Sequence, residues 1–204
     1  MIKKYLWVML VPALMFAGCA KPPEQEIGQA NDAMQAATAA QSDVYAPTEE
    51  ASAKDALSKA QAEVEMQNAK FVLFRSYSQA KTLYAAAIDA SNKAKEAAIV
   101  NKEAVKNEAM TLIAESKTAV DDAGKALKMA PRGKDTKADL DAMNTDLKSL
   151  QTMLPELDDL FAREMYMDAK NKAMSVKEKA AQIKADVDAA KAKMASKPHS
   201  KKHK

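Results

Sequence analysis

From Glu24 onward, small or apolar residues recur every three or four positions almost without a break, and no stretch alternates apolar and polar side chains as a half-buried strand would. That period gathers the apolar positions on one side of a helix, so a chain written this way buries itself by laying helix against helix. Only four Gly and seven Pro interrupt 204 residues. Ala and straight-chain residues, which lose little freedom in a helix, dominate the rest. The expected fold is all-α: an elongated helical hairpin or bundle with coiled-coil-like seams and no sheet.

A first helix is expected from Glu24 to Asp43, with Ile27, Ala30, Met34, Ala37, Gln41 and Val44 on one face. Tyr45-Ala46-Pro47 ends it, because a proline disfavours helical geometry in the residue before it and suits the first turn of a new helix. Glu49 and Glu50 then lie where negative charge is favoured. The second seam reads Ala53, Leu57, Ala60, Val64, Gln67 and Phe71, reaching the most apolar patch of the body, Phe71-Val72-Leu73-Phe74. No Gly or Pro marks a turn there, so a turn and a continuous helix are both compatible with the sequence.

The stripe goes on through Tyr77, Ala80, Tyr84, Ala87, Ala94, Ala98, Val105 and Leu112 to Leu127. As one helix of about 55 residues it would extend on the order of 80 Å. Ala130-Pro131-Arg132-Gly133-Lys134-Asp135 is the main interior break, with Asp135 or Thr136 placed to cap the next helix and Asp139 in its first turn. The seam beyond it, Leu140, Met143, Leu147, Leu150, Leu154, Leu157 and Phe161, keeps its phase across Pro155, which implies a kink or two helices in line. It is expected to meet the Phe71 patch in a thick core. A last helix carries Tyr166, Ala169, Ala173, Val176, Ala180, Ile183, Val187, Ala190 and Met194 at heptad spacing. The steps Tyr77 to Ala80-Lys81 and Tyr166 to Ala169-Lys170 coincide, a hint of a duplicated hairpin.

Ahead of this body, Met1-Ile2-Lys3-Lys4, an apolar run from Tyr5 to Ala17, and Gly18-Cys19 have the order of a secretory signal. The run is too short for a spanning helix. Phe16-Ala17-Gly18-Cys19 resembles the bacterial lipobox, in which small residues precede a cysteine that accepts diacylglycerol before cleavage; Phe16 stands where that motif usually has Leu. Cys19 is the only cysteine, so an intrachain disulfide is excluded. The resemblance implies a covalent lipid on Cys19, no other cofactor, and attachment to a membrane. Ala20, not Asp, follows the cysteine, which by the enteric sorting pattern implies the outer membrane and a periplasm-facing body. The organisation expected is a lipoprotein signal peptide over 1–18, the lipidated cysteine and its tether over 19–24, an Ala-rich helical domain over 25–130, a second helical hairpin over 131–195 and a basic flexible tail over 196–204.

Ala-spaced helices interrupted by Tyr45-Ala46-Pro47, then Ala56-Leu57 with Ala60, then Tyr77 with Ala80 and Ala87, behind a lipobox, resemble a family of envelope lipoproteins. That family carries a short tetratricopeptide-like helical domain of unknown function, alone or joined to an OmpA-type peptidoglycan-binding domain. The resemblance covers residues 24–125 and implies location and helical form. It supplies no catalytic residues, and residues 136–195 continue as helix where an OmpA-type domain would stand.

Charge excludes little. Lys and Arg number 31 against 28 Asp and Glu, and the six Lys between Lys191 and Lys204 leave the body mildly acidic and the tail basic. Nothing in this balance points to nucleic acid. His199 and His203, four apart in the tail, fall short of the three or four ligands a zinc site needs, and a solvated tail is the simpler account. No phosphate loop, nucleophile elbow or metalloprotease motif occurs, so no metal site and no catalytic residue is assigned and a non-enzymatic role is expected. Asp121-Asp122 and Asp158-Asp159 read as charged helix faces, and Met165 and Met167 beside Tyr166 as gap-fillers in a helical core. Lys197, Lys201, Lys202 and Lys204 are the candidates for contact with an anionic polymer, lipid headgroups or peptidoglycan; a terminal lysine on a helical lipoprotein is similar to Braun's lipoprotein, although the neighbouring residues differ. The sequence thus implies a lipid-anchored spacer or interaction module, or alternatively a tetratricopeptide-like adaptor or peptidoglycan tether. An envelope protein or peptidoglycan is the partner expected beside the membrane, and self-association through the seams stays open.

Overall fold

The computed structural model describes residues 21–131, 133 and 136–195. Among them are six α-helices, one 3-10 turn and no strand: α1 (Glu24–Ala39), α2 (Ser42–Tyr45), α3 (Pro47–Ala69), the turn Val72–Phe74, α4 (Ser78–Lys128), α5 (Lys137–Ala162) and α6 (Tyr166–Ala195). The all-α expectation is borne out. Cys19 and the tail residues Lys197, His199, Lys201, Lys202, His203 and Lys204 lie outside the described residues, as does Asp135.

Packing divides the chain between Asn101 and Lys102, inside α4, so this helix contributes its first part to one unit and its second part to the other. The break at Pro131 does separate α4 from α5, but it falls within the second unit. The boundary expected at residue 131 marks a connection between helices that pack together.

In the first unit, α1 and the start of α4 run parallel. Glu26 pairs with Lys81 at 2.9 Å. Farther along, the Ser91 hydroxyl donates to Met34 Sδ at 3.8 Å, and Asn101 Nδ2 donates to the Tyr45 carbonyl at 2.8 Å, with sequence separations of 57 and 56 that hold one register. Helix α3 returns between them, antiparallel. Its Ala53 packs with Ala37 and Ala94 at one end of the unit, and its Ala60 and Val64 pack with Ala30, Tyr77, Ala80, Tyr84 and Ala87 at the other. Buried alanines at nearly every crossing let the backbones approach closely, and Tyr77 and Tyr84 fill the wider gaps. α3 starts where Pro47 occupies its first turn, with Glu49 and Glu50 complementing the exposed N–H groups.

The first helix is shorter than its apolar pattern implies. It stops at Ala39 because Gln41 takes a left-handed conformation, φ 60°, which turns the chain into the single turn α2. The rotation takes Gln41 and Val44 out of the seam and buries Ser42, Tyr45 and Ala46 in their place. The expected core around Phe71 is also corrected. Phe71, Leu73 and Phe74 are 66%, 69% and 76% exposed, because α3 ends at Ala69 and residues 70–77 turn the chain back at the tip of the α3–α4 hairpin.

In the second unit α4 and α6 are parallel, joined by Lys102–Glu164 at 2.9 Å, Glu108–Lys170 and Glu115–Lys177 at 2.7 Å; the first and last of these pairs are each 62 positions apart. α5 is antiparallel to both, through Lys117–Asp158 at 2.7 Å and Lys172–Glu156. The Leu140 to Phe161 seam packs against α4 and α6. Leu140, Leu147 and Leu150 join Val120, Leu127, Val176, Ile183 and Val187 in one cluster; Leu157 joins Ala109, Ile113, Ala169 and Ala173 in another. α5 is assigned as one helix through Pro155, whose ring faces solvent. Thr136 occupies the cap position of α5, but its hydroxyl accepts from the Gly133 N–H at 3.0 Å and so ties down the loop, not the helix.

The repeated tyrosine step has a structural counterpart. Tyr77 and Tyr166 both stand buried at the start of the third long helix of their unit, with Ala80 and Ala169 buried one turn later. Lys81 and Lys170 each reach back to a glutamate on the first helix, Glu26 and Glu108.

Candidate functional site

Chemistry at a site needs polar groups held away from water, so the buried polar side chains come first. They are Ser42, Glu50, Gln67 and Ser91 in the first unit and Ser116 in the second. Ser116 donates to the Ile113 carbonyl at 2.8 Å, an ordinary intrahelical bond. Gln67 Nε2 donates to Glu63 at 2.7 Å while its Oε1 accepts from the Ser76 N–H at 3.1 Å, so it holds the start of the returning strand of chain against α3. Glu50 pairs through Oε1 with Lys54 at 2.6 Å; its Oε2 and the Ser42 hydroxyl have no hydrogen-bond partner. Left without partners, these two buried atoms cost the α2–α3 corner stability.

The adjacent acids all meet cations: Asp121 and Asp122 share Lys125, whereas Asp158 and Asp159 pair with different residues. Asp121 pairs with Lys125 at 2.6 Å, Asp158 with Lys117, and Asp159 with Arg163 at 3.4 Å, all with half-exposed side chains. They form a solvated charge pattern, as the sequence implies. The Asp121 carboxylate pushes the Lys125 ammonium pKa up by direct hydrogen bonding. Met165 and Met167 are half-buried beside Tyr166, whose ring meets Phe161 at 5.1 Å between centroids.

Two concave surfaces occur in the second unit. A groove of about 700 Å³ runs between the end of α4 and the first half of α5, over Val120, Leu127, Leu140 and Leu147, with Lys125, Lys128, Lys148 and Asp141 among its walls. Gly124 helps shape it, since a Cβ there would meet only Leu147 Cδ2, at 3.5 Å. A shallower hollow of about 430 Å³ lies beside Met110, Ile113 and Phe161 under the Lys117–Asp158 pair. An apolar floor with charged walls accepts the apolar stripe of an amphipathic helix.

The most conspicuous surface is the turn that the sequence reading placed in the core. Phe71 and Phe74 stand 6.3 Å apart between ring centroids, with Leu73 exposed beside them and Met66, 53% exposed, on the last turns of α3. The backbone beneath is well held. Arg75 donates from Nε to the Lys70 carbonyl at 2.9 Å and from Nη2 to the Asn68 carbonyl at 2.8 Å, satisfying carbonyls that the end of α3 leaves unpaired. The Tyr77 hydroxyl donates to Asn68 Oδ1 at 2.5 Å. The sequence signal for this surface was the apolar quartet itself; what it lacked was any breaker to show that the quartet lies on a turn.

Among the described residues, no group of three or more His, Cys, Asp or Glu side chains is placed to hold a metal ion, and no helix is long and apolar enough to cross a membrane. Comparison with known protein families, with characterised proteins and with solved structures found no match.

Proposed function

We propose that this protein is a non-enzymatic, lipid-anchored helical spacer or interaction module that faces the periplasm from the outer membrane. The observation that carries the reading is the run Phe16-Ala17-Gly18-Cys19, holding the only cysteine of the chain and followed after four residues by α1 at Glu24. A cysteine so close to the folded body suits a short tether. Several acyl chains, at about 0.8 kcal/mol per buried methylene, make attachment stable. The interaction half of the reading draws support from the groove between α4 and α5, whose apolar floor and charged walls match the face of a partner helix. Lengths of 23 residues for α3 and 51 for α4 differ from the short helix pairs of a 34-residue tetratricopeptide repeat, which favours the spacer over the adaptor.

Growth of producing cells with a clickable fatty-acid analogue tests the anchor. Label is expected on the wild-type chain, in the outer-membrane fraction, and absent from Cys19→Ser. Label retained after Cys19→Ser, or wild-type chain recovered in the cytosol with its leader intact, contradicts the reading.

A further inference from the structure

The exposed turn Phe71–Phe74 and the segment leading to Cys19 lie at the same end of the first unit. Helices α1 and α4 are parallel, and their first shared tie is Glu26 to Lys81. α1 begins two residues before that tie and α4 three residues before it. At about 1.5 Å of rise per residue, the two helices start nearly level with one another. The α3–α4 turn immediately precedes the start of α4, and the tether immediately precedes the start of α1. The four residues between Cys19 and Glu24 extend the chain by at most about 3.5 Å each, which sets a tether of less than about 20 Å.

The surroundings of the turn suit one kind of partner. Between Glu65 and Asp89 the chain has no acidic residue, and Lys70 and Arg75 bracket the apolar quartet, while Lys81 beyond them is paired with Glu26. Two phenylalanines and a leucine outside, flanked by cations, are the combination that enters the interface of an anionic bilayer: rings and alkyl groups leave water while the cations stay at headgroup level. The corresponding turn of the second unit provides an internal contrast. There, between α5 and α6, Arg163 and Glu164 are exposed, and the nearby aromatic Phe161 folds inward against Tyr166.

We propose that Phe71, Leu73 and Phe74 insert into the headgroup region of the membrane that carries the anchor, so that the first unit stands on the bilayer at two points, the acylated Cys19 and the apolar turn. This rests on the anchor reading for the identity of the membrane, whereas affinity of the turn for anionic lipid follows from the turn alone. Two attachment points would orient the unit relative to the bilayer; a single flexible tether would leave it free to rotate.

The test places a single fluorophore in the full chain. The only native tryptophan, Trp7, leaves with the leader, so in the mature chain Phe74→Trp reports on the turn and Val44→Trp on an apolar, partly exposed position at the opposite end of the same unit. Each protein is purified from membranes and reconstituted into vesicles of phosphatidylglycerol and brominated phosphatidylcholine. Blue-shifted emission and strong quenching are expected for the Phe74→Trp reporter and neither for the Val44→Trp reporter. In Cys19→Ser chains produced without residues 1–18 and added to the same vesicles, the combined substitution Phe71→Ser, Leu73→Ser and Phe74→Ser is expected to lower binding by at least about tenfold. Circular dichroism of that variant should match wild type, since all three side chains face solvent.

The arms separate the two readings. Phe74→Trp quenched in the Cys19→Ser chain, together with no fatty-acid label on wild type, keeps the turn and removes the anchor. Label present with the two reporters equally quenched, or with neither quenched, overturns the turn. A mass that doubles with concentration, and stops doubling in the triple serine variant without any vesicle quenching, assigns the turn to a second copy of the chain and likewise overturns the proposal.

Discussion

The two units each set three long helices in up-down-up order with a tyrosine at the start of the third, yet they fill their interiors differently. The first is zipped by alanines, Ala30, Ala37, Ala53, Ala60, Ala80, Ala87 and Ala94, and tolerates four buried polar residues. The second is packed by Leu140, Leu147, Leu150, Leu157, Val176, Ile183 and Val187, with Ser116 as its one buried polar residue among those described. Alanine contacts remove little area from water but fix a close helix spacing, whereas large aliphatic chains contribute more burial per contact. The turns differ in the opposite sense. The alanine unit leaves its aromatics outside at Phe71 and Phe74; the aliphatic unit tucks Phe161 inside. The larger aliphatic side chains are thus buried in the second unit, and the exposed phenylalanines belong to the first.

The largest expected effect tests that division. Leu157 is fully buried among Ala109, Ile113, Ala169 and Ala173, so Leu157→Ala should destabilise by about 2–5 kcal/mol through lost burial and an unfilled cavity. Urea unfolding measures the total. Hydrogen exchange should place the loss on amides beyond Lys102; an equal loss through α1 and α3 would mean that the units do not divide as their packing implies.

The complementary change goes into the alanine unit. Ala87 lies fully buried beside Ala30, Ala60 and Tyr84, and Ala87→Leu should destabilise by about 1–3 kcal/mol because the close spacing leaves no room. Unchanged or increased thermal stability would show that the first unit is loosely packed and that its alanines do not set its spacing.

A smaller effect comes from the hydroxyl that ties the apolar turn to α3. Tyr77→Phe removes a bond to Asn68 and should cost about 1 kcal/mol by thermal unfolding. Exchange should quicken in residues 68–77, leaving the turn at 163–165 unaffected.

The smallest effect concerns the ties that both units share. Hydrogen bonding and charge from Lys81 hold the Glu26 carboxyl below its ordinary pKa, and Lys102 does the same for Glu164. A lowered folded value means the contribution is present above the ordinary carboxylate range and lost as pH falls through the folded pKa. Melting temperatures of Glu26→Gln and Glu164→Gln should therefore fall slightly below wild type at neutral pH and converge with it in acid. A gap that widened in acid would reverse the sign. Added salt should narrow the neutral gap, as expected of exposed pairs.

Much of the helical architecture was legible. Every α6 position assigned to the seam is buried or half-buried, because heptad spacing with a small or branched residue at each step leaves only one face to bury. The α5 seam carried across Pro155 for the same reason. The turns were harder to see. Gln67, Phe71, Phe74 and Tyr77 continue a three-and-four spacing straight through the α3–α4 reversal, so periodicity looks identical for a helix and for a hairpin tip. Arg75 reaches back five and seven positions to the Lys70 and Asn68 carbonyls at the end of α3, a contact that no Gly or Pro announces. Gln41 adopts its left-handed turn without a glycine to announce it. One available signal went unused: Glu108 and Glu115, like Lys170 and Lys177, are seven apart, a charge ladder that marks α4 and α6 as parallel neighbours. Of the candidate site, the sequence supplied the anchor motif and the apolar quartet, but not their placement at one end of a unit, which depends on the register of α1 against α4.

Hydrogen exchange of the acylated chain in anionic vesicles, compared with a Cys19→Ser chain that lacks residues 1–18 and is free in solution, tests the account most directly. Slowed exchange is predicted at residues 70–77 on the bilayer, with the turn at 163–165 unchanged. Slowing at 163–165, or none at 70–77 in a chain shown to carry its lipid, would contradict it.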